Sequence, residues 1–388
     1  MNRSLSRSRA ARFVVLLGVV SLFADMTYEG ARSVSGPFLS ALGASATAVG
    51  AIVGAGELAG YALRLVAGVL ADRTRRYWLL TFVGYTVNLL AVPLLALAGR
   101  WEVAAALLLV ERVGKALRTP ARDAMLSHAT HLTGRGWGFG LHEALDQVGA
   151  VAGPLLVAAI VASQQTYREA FLALAVPAAL ALSALATARW LYPKPSALEP
   201  AAASLQGKQL PRAFWFYLLA AALAGAGFAD FPLAAFHFER AALFSPATIA
   251  LLYALAMATD AVAALVFGRL FDRWGQPVLA VASAVGAISA PLVFSGAAAL
   301  SVAGVVAWGV CMGAYESVLR AAVASFAPPE ARGAAYGVFN AGFGVAWFLG
   351  SAAMGALYDR SVLGMVIFSA LLQALAAVAM LRTSRSAD

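Results

Sequence analysis

A chain of 388 residues that is 62% hydrophobic and only 12% charged has too few charges to clothe the surface of a water-soluble protein of that size. Its mean hydropathy of +0.79 places it among integral membrane proteins. The 28 basic and 19 acidic residues leave a net charge of +9, which membrane topology explains better than nucleic-acid binding, and the lone Cys311 excludes an intramolecular disulfide or a cysteine metal cluster.

From the N-terminus, Arg3, Arg7, Arg9 and Arg12 precede an apolar stretch in the manner of a signal peptide. Asp25, Glu29 and Arg32 interrupt what would be its apolar core, so the segment reads as a retained first helix. Apolar runs then predict twelve spans. Six fall near 13–39, 47–70, 78–99, 103–125, 138–163 and 169–191. Six more fall near 213–238, 247–271, 277–297, 299–325, 333–357 and 362–381. Runs of about 20 residues suit helices crossing a hydrocarbon core of about 30 Å. The strict alternation of a membrane barrel is absent, and only helices then satisfy every backbone amide within lipid. The expected fold class is all-α integral membrane, with twelve transmembrane helices in two pseudo-symmetric six-helix bundles. The expected domains are an N-terminal bundle over 1–192, a cytoplasmic linker rich in Pro, Ala and Ser over 193–211, and a C-terminal bundle over 212–388.

Lys and Arg placement sets the orientation. With the N-terminus inside, twenty basic residues fall in inner loops and termini, while the outer loops hold only Arg100, Arg168, Arg240 and Arg360. Both termini are therefore expected in the cytoplasm, in a multi-pass protein of the cytoplasmic (inner) membrane.

Two turns repeat. Gly68-Val-Leu-Ala-Asp72-Arg73 and Gly268-Arg-Leu-Phe-Asp272-Arg273 lie 200 residues apart, each closing an apolar run. Arg135-Gly-Trp-Gly-Phe-Gly140 and Arg332-Gly-Ala-Ala-Tyr-Gly337 each open the fifth span of their half, and at one offset Gly153 meets Gly350. These turns resemble the signature of the major facilitator superfamily, a G-x-x-x-D-R-x-G-R-type loop between spans two and three that is echoed between spans eight and nine. The first copy has Arg75 near the usual glycine, and the second has Gln276 and Pro277 where basic residues are common. The resemblance implies a 6+6 helical fold, a central cavity and rocker-switch transport. It implies a cytoplasmic gate at Gly68, Asp72, Arg73, Gly268, Asp272 and Arg273.

The spans hold nine carboxylates (Asp25, Glu29, Glu57, Glu111, Glu143, Asp146, Asp230, Asp260 and Glu316), with Arg32, Arg64, Arg112 and Lys115. Each would cost roughly 2.5–3.5 kcal/mol at mid-membrane, so they must pair, line a wet cavity or be protonated. Asp25, Glu29 and Arg32 recur at i, i+4 and i+7, and Glu57, Tyr61 and Arg64 repeat that spacing. Glu111, Lys115, Arg118 and Arg122 form a stripe beside Arg112, while His142 and Asp146 share a face next to Glu143. The stripes all lie in the first half. That half is expected to carry coupling chemistry, and the second to supply packing and substrate surface. A buried carboxylate beside a cation loads and releases a proton as its surroundings change. The expected proton-coupling and cavity residues are Asp25, Glu29, Arg32, Glu57, Arg64, Glu111, Arg112, Lys115, Glu143 and Asp146. Arg112 resembles the span-four arginine that the superfamily often uses in coupling. Gly149, Gly153 and Pro154 resemble the motif of its proton-linked exporters, although the two glycines that usually follow are Val157 and Ala158 here.

His142 with its acidic neighbours, and His128 and His131 near Asp123, lack the spacing of a metal signature, and no metal is expected. The aromatic residues Tyr28, Tyr61, Phe228, Phe231, Phe236, Tyr315, Phe339, Phe343 and Trp347 could furnish an apolar or cation-binding pocket. No phosphate loop, nucleophile elbow or zinc-protease pair occurs, so neither an enzyme nor an ATP-driven pump is expected, and there are no catalytic residues to name. The expectation is a secondary active transporter, exchanging protons for a small organic solute and exporting it. It needs no cofactor beyond a proton gradient, and its partners are a small solute or ion and the bilayer, with no nucleic acid. The resemblance implies a monomer. Proton-coupled uptake by symport is one alternative; a non-transporting scaffold, such as a lipid scramblase or sensor, is another.

Overall fold

The computed structural model describes residues 2–133, 135–164, 166–193, 210–326 and 332–385. Residues 194–209, nearly all of the expected linker, lie outside them. The described chain is all-helical: α1 (Asn2–Ala41), α2 (Ala46–Thr74), α3 (Tyr77–Leu94), α4 (Trp101–Thr133), α5 (Arg135–Gln164), α6 (Tyr167–Ala173) and α7 (Ala175–Leu191) make up the first half. The second half comprises α8 (Arg212–Gly227), α9 (Phe231–Arg240), α10 (Pro246–Trp274), α11 (Pro277–Val293), α12 (Ala298–Ala314), α13 (Arg320–Phe326), α14 (Arg332–Arg360) and α15 (Val362–Arg385).

Among the described residues, ten segments are long and apolar enough to cross a membrane. Several of them join two helices, such as Arg212–Arg240 and Tyr167–Leu191. The places of the expected fourth and ninth spans are taken by α4, which carries the charged stripe, and by α11, which is apolar but 17 residues long. The protein is a multi-pass membrane protein.

Two turns show how duplication survives in the backbone. After α1, Gly43 takes φ +89 and the Ala44 N–H reaches back to the Leu39 carbonyl at 2.9 Å. After α9, Ala242 takes φ +50 and the Leu243 N–H reaches the Phe238 carbonyl at 3.0 Å. Both are the six-to-one closure that ends helices with a left-handed residue. A positive-φ residue also follows α2 and α10, with a five-to-one bond instead: the Arg75 (φ +52) and Gly275 (φ +69) N–H groups donate to the carbonyls of Ala71 and Phe271. In each pair one copy has glycine and the other bears the strain of a side chain in left-handed space.

Two compact units emerge, and the division passes through α1 and α2. The first comprises residues 1–33 and 63–202, the second 34–62 and 203–388. Within the first, glycines let helices touch. A Cβ on Gly149 or Gly153 of α5 would overlap the carbonyl oxygens of Leu22 or Met26 on α1. A Cβ on Gly84 of α3 would come within 2.7 Å of the Arg118 backbone on α4. Small residues at such crossings are the usual device of membrane helix packing.

Within the second unit, Gly350 of α14 meets Ala226 of α8, and Gly313 of α12 meets Asp260 of α10. Gly50 and Gly355 meet Ser351 and Ala46, joining the first turns of α2 to α14. The Asp359 carboxylate accepts from the Ala46 and Thr47 N–H groups at 3.1 and 2.8 Å, capping α2 where its amides are otherwise unpaired.

Two interruptions depart from the expected continuous spans. Between α8 and α9, residues 228–230 leave the helix, and side chains repair the backbone: Trp308 Nε1 donates to the Ala229 carbonyl at 2.7 Å. After α12, residues Tyr315–Leu319 form a π-helical turn, and the Tyr217 hydroxyl donates to the Leu319 carbonyl at 2.6 Å. Broken backbone at membrane depth requires such internal partners.

Candidate functional site

The site is built on α1, α3, α4 and α5 of the first unit. On α1, Ser21, Asp25, Tyr28, Glu29 and Arg32 recur at helical spacing, which gathers them on one side. On α4, Glu111, Lys115, Arg118 and Arg122 do the same. The close α1–α5 and α3–α4 crossings then bring the stripes together. Gly149 lies one turn from Asp146, and a Cβ on it would stand 3.1 Å from the Asp25 Cβ.

At the centre is Asp25, which is buried. The charges acting on it are Asp146, Lys115, Arg118 and Glu29. Lys115 Nζ lies 3.7 Å from Glu29 Oε1 and 3.8 Å over the Tyr28 ring. Arg32 Nη1 lies 4.0 Å from the same Glu29 oxygen. Glu29 thus stands between two cations, one of them also stabilised by the face of an aromatic ring.

Arg118 is 1% exposed, and its guanidinium stacks 4.1 Å over Tyr85 and 5.7 Å from Tyr28. Its Nε and Nη1 make no hydrogen bond among the described residues. A fully buried guanidinium held by ring faces and by the Asp25 and Asp146 charges keeps donors in reserve.

Beside it runs a hydrogen-bonded chain. Arg122 donates to Asp123 at 2.9 Å and to Ser21 Oγ at 3.1 Å. Ser21 Oγ lies 3.1 Å from His142 Nε2 and 3.5 Å from the Tyr85 hydroxyl. His142 Nδ1 lies 3.4 Å from Asp146 Oδ2. A neutral imidazole with its proton on Nδ1 accepts the Ser21 proton at Nε2. A charged imidazole donates from both nitrogens, and Ser21 then turns its proton toward Tyr85. The chain accommodates either state without a broken link.

Glu111 and Arg112 form a neighbouring pair, Nε to Oε2 3.4 Å, and Asn88 of α3 donates to Glu111 Oε1 at 2.6 Å. Asp25, Glu29, Arg32, Glu111, Arg112, Lys115 and Asp146 are thereby placed in one connected region of the first unit.

Among the remaining expected residues, Glu143 is more exposed than its buried neighbour His142 and lies within the influence of Asp146, His142 and Arg122. Glu57 and Arg64 are half-buried on α2, but Glu57 belongs to the second unit and Arg64 to the first. Gly149 and Gly153 form the α1 contact described above, with Pro154 inside α5. At the gating turns, Arg73, Asp272 and Arg273 are exposed, a Cβ on Gly68 would stand 3.8 Å from the Pro120 side chain, and a Cβ on Gly268 would meet open space. The side chains of Asp72, His128 and His131 lie outside the described residues.

Sequence spacing did not single out Ser21, Tyr85 and Asn88. For two of them a signal was present: Tyr85 and Asn88 are polar positions three apart in a largely apolar span, the spacing that puts them on one face.

In the second unit the polar interior has another character. Asp230, at the α8–α9 break, accepts from Trp347 Nε1 at 2.9 Å and from the Ser351 hydroxyl. Trp347 packs against Phe343, Phe228 and Tyr61. Tyr315, in the π turn, lies 2.8 Å from Ser283 Oγ and donates to Gln373 at 2.6 Å. His237 Nδ1 lies 2.8 Å from the Tyr358 hydroxyl.

The profile of the Major Facilitator Superfamily matches residues 17–243 and 229–388. The chain belongs to the major facilitator superfamily. A protein of Mycobacterium tuberculosis whose role is uncharacterised is 43% identical over 378 residues, covering 96% of this chain and 92% of its own. An MFS-type transporter of Methanocaldococcus jannaschii is 28% identical over 285 residues, covering 71% of this chain and 69% of its own. Among solved structures, the nucleoside transporter NupG aligns with a TM-score of 0.71 at 14% identity, covering 97% of this chain and 98% of that one. At that identity the likeness is one of fold. The superfamily membership makes the chain a membrane transporter, not an enzyme.

Proposed function

We propose that this transporter exchanges protons for a small organic solute and exports the solute across the cytoplasmic membrane. Its two six-helix halves, 1–192 and 212–388, are joined by the 193–211 linker and alternate access from one side to the other. Both termini and the Arg75 turn face the cytoplasm. The proton gradient supplies the energy, no cofactor takes part, and the monomer is the working unit.

The observation that carries the reading is Asp25, a buried carboxylate within the influence of Lys115, Arg118, Glu29 and Asp146. Protonating Asp25 removes one negative charge from this set, and Lys115 and Arg118 are then free to attract another anion or to repel a cation. Losing the proton restores the original balance. Such an exchange couples charge movement to a change in helix contacts, which is the requirement for antiport. The export direction is supported by the Gly149, Gly153 and Pro154 motif in α5.

A thermal-shift screen against drugs, organic acids, siderophores and divalent metals identifies the solute. Inside-out vesicles acidified by respiration should then lose their pH gradient when that solute is added. Asp25→Asn should abolish the response, by at least tenfold, with normal amounts of protein in the membrane. Undiminished gradient-driven transport in that variant removes Asp25 from the mechanism. Solute-stimulated proton entry into right-side-out vesicles replaces antiport by symport.

A further inference from the structure

We infer that the groove between α8 and α15 is a binding site for one anionic phospholipid. This inference does not depend on the direction or coupling of transport. The groove encloses about 440 Å³ on the face of the second unit. Phe216, Leu219 and Val378 line it and are 64%, 57% and 50% exposed. It is thus an open apolar furrow between two helices, not part of the packed interior.

Its two ends differ. At one end lie Ala213 of α8 and Arg382 of α15, and at the other Leu223 and Leu375. Arg212 is exposed one residue before Ala213, so a second cation stands at the same end. None of the lining residues is acidic. Thr383 is also there, with its hydroxyl donating to the Met380 carbonyl, and Arg382 carries the positive charge of the lining at this end. Trp215, 52% exposed, lies within the first turn of α8, the level at which tryptophan favours the membrane interface.

The length matches one leaflet. Ala213 to Leu223 is ten residues of helix, about 15 Å at 1.5 Å per residue, half of a hydrocarbon core of about 30 Å. An amphiphile that fills this furrow has an apolar tail one leaflet deep and a negative head beside Arg382 and Arg212. The charge bias of the loops assigns that end to the cytoplasmic side, where basic pockets between helices hold anionic headgroups. A zwitterionic lipid fits the furrow but gains less from its cationic end.

The test uses the full chain in detergent. Phosphatidylglycerol, phosphatidylcholine with the same acyl chains, and oleate are titrated separately, with thermal unfolding and native mass spectrometry as readouts. Phosphatidylglycerol should raise the melting temperature more than phosphatidylcholine and leave one retained adduct, with at least fivefold tighter apparent binding. Arg382→Gln should erase that preference. Val378→Trp, which fills the furrow without touching the charge, should lose the adduct. Arg100→Gln, at an exposed residue in another loop, should change neither. Equal response to the two phospholipids in the unaltered protein overturns the site. So does a preference that survives both Arg382→Gln and Val378→Trp. An oleate response equal to that of phosphatidylglycerol replaces the phospholipid by a fatty acid and overturns the assignment as stated.

Discussion

In the first unit, Glu29 stands between Lys115 and Arg32, and Arg118 is buried against two tyrosine rings. In the second, Asp230 accepts hydrogen bonds from an indole and a hydroxyl, and the Tyr315 hydroxyl pairs with a serine and donates to a glutamine oxygen. Both units keep polar side chains at membrane depth: in one, carboxylates stand beside cations, and in the other, Asp230 and Tyr315 bond to neutral side chains. Ionic contacts weaken or reverse when a single proton arrives, whereas the Trp, Ser, Tyr and Gln partners here do not change charge across the physiological pH range. The first arrangement is suited to switching and the second to holding a broken helix and a π turn in place.

The comparison is broken most severely at Lys115. Lys115→Met removes one of the two cations beside the buried Glu29 carboxylate, at a cost of up to about 3–5 kcal/mol for a broken buried pair, with Arg32 left to offset part of it. Thermal unfolding should show that loss, and adding Glu29→Gln should restore most of it. A single variant as stable as the parent would mean that the Glu29 charge is satisfied without Lys115. A smaller effect is expected in the second unit. Trp347→Phe keeps the aromatic packing and removes one donor to Asp230, worth about 1.5–3 kcal/mol for a bond to a charged group. Stability should fall while the proton dependence of transport stays unchanged. An altered pH profile would give Asp230 a share in coupling and erase the contrast.

The smallest expected effects sharpen the duplication itself. Ala242→Gly and Arg75→Gly place glycine where the other copy of each turn already has it, at φ +89 and +69. Each should stabilise by about 0.5–1 kcal/mol, the relief of left-handed strain less the entropy of glycine. Destabilisation by either change would show that the side chain earns its strained position through a contact.

Much of this was legible in advance. Apolar run length places the spans, because a membrane helix must bury about 20 residues whatever its neighbours do. The α4 stripe from Glu111 to Arg122 was legible because helical spacing alone puts those residues on one face. The α8–α9 break was not, since Phe228 and Ala229 continue an apolar run and the partners that release the helix, Trp308 and Trp347, lie about 80 and 117 positions away. The same holds for the π turn, whose freed carbonyl is met by Tyr217, 102 positions earlier. Spacing on α2 suggested a shared role for Glu57 and Arg64. The structure assigns them to different units, because one helix serves two cores along its length. Ser21 and Tyr85 gain meaning only once α1, α3 and α5 converge on His142.

The charged face of α4 also constrains how the chain is made. Five ionisable residues between Glu111 and Arg122 would cost on the order of 15 kcal/mol to place in lipid alone. A segment so disfavoured does not leave the translocation machinery by itself. Its local remedy is α3, to which it is joined by a short turn and pressed by Gly84 and Gly114, and which supplies Asn88 to Glu111 and the Tyr85 ring to Arg118. Helices three and four are therefore expected to enter the bilayer together, with the glycine-lined crossing as the contact that lets them pair.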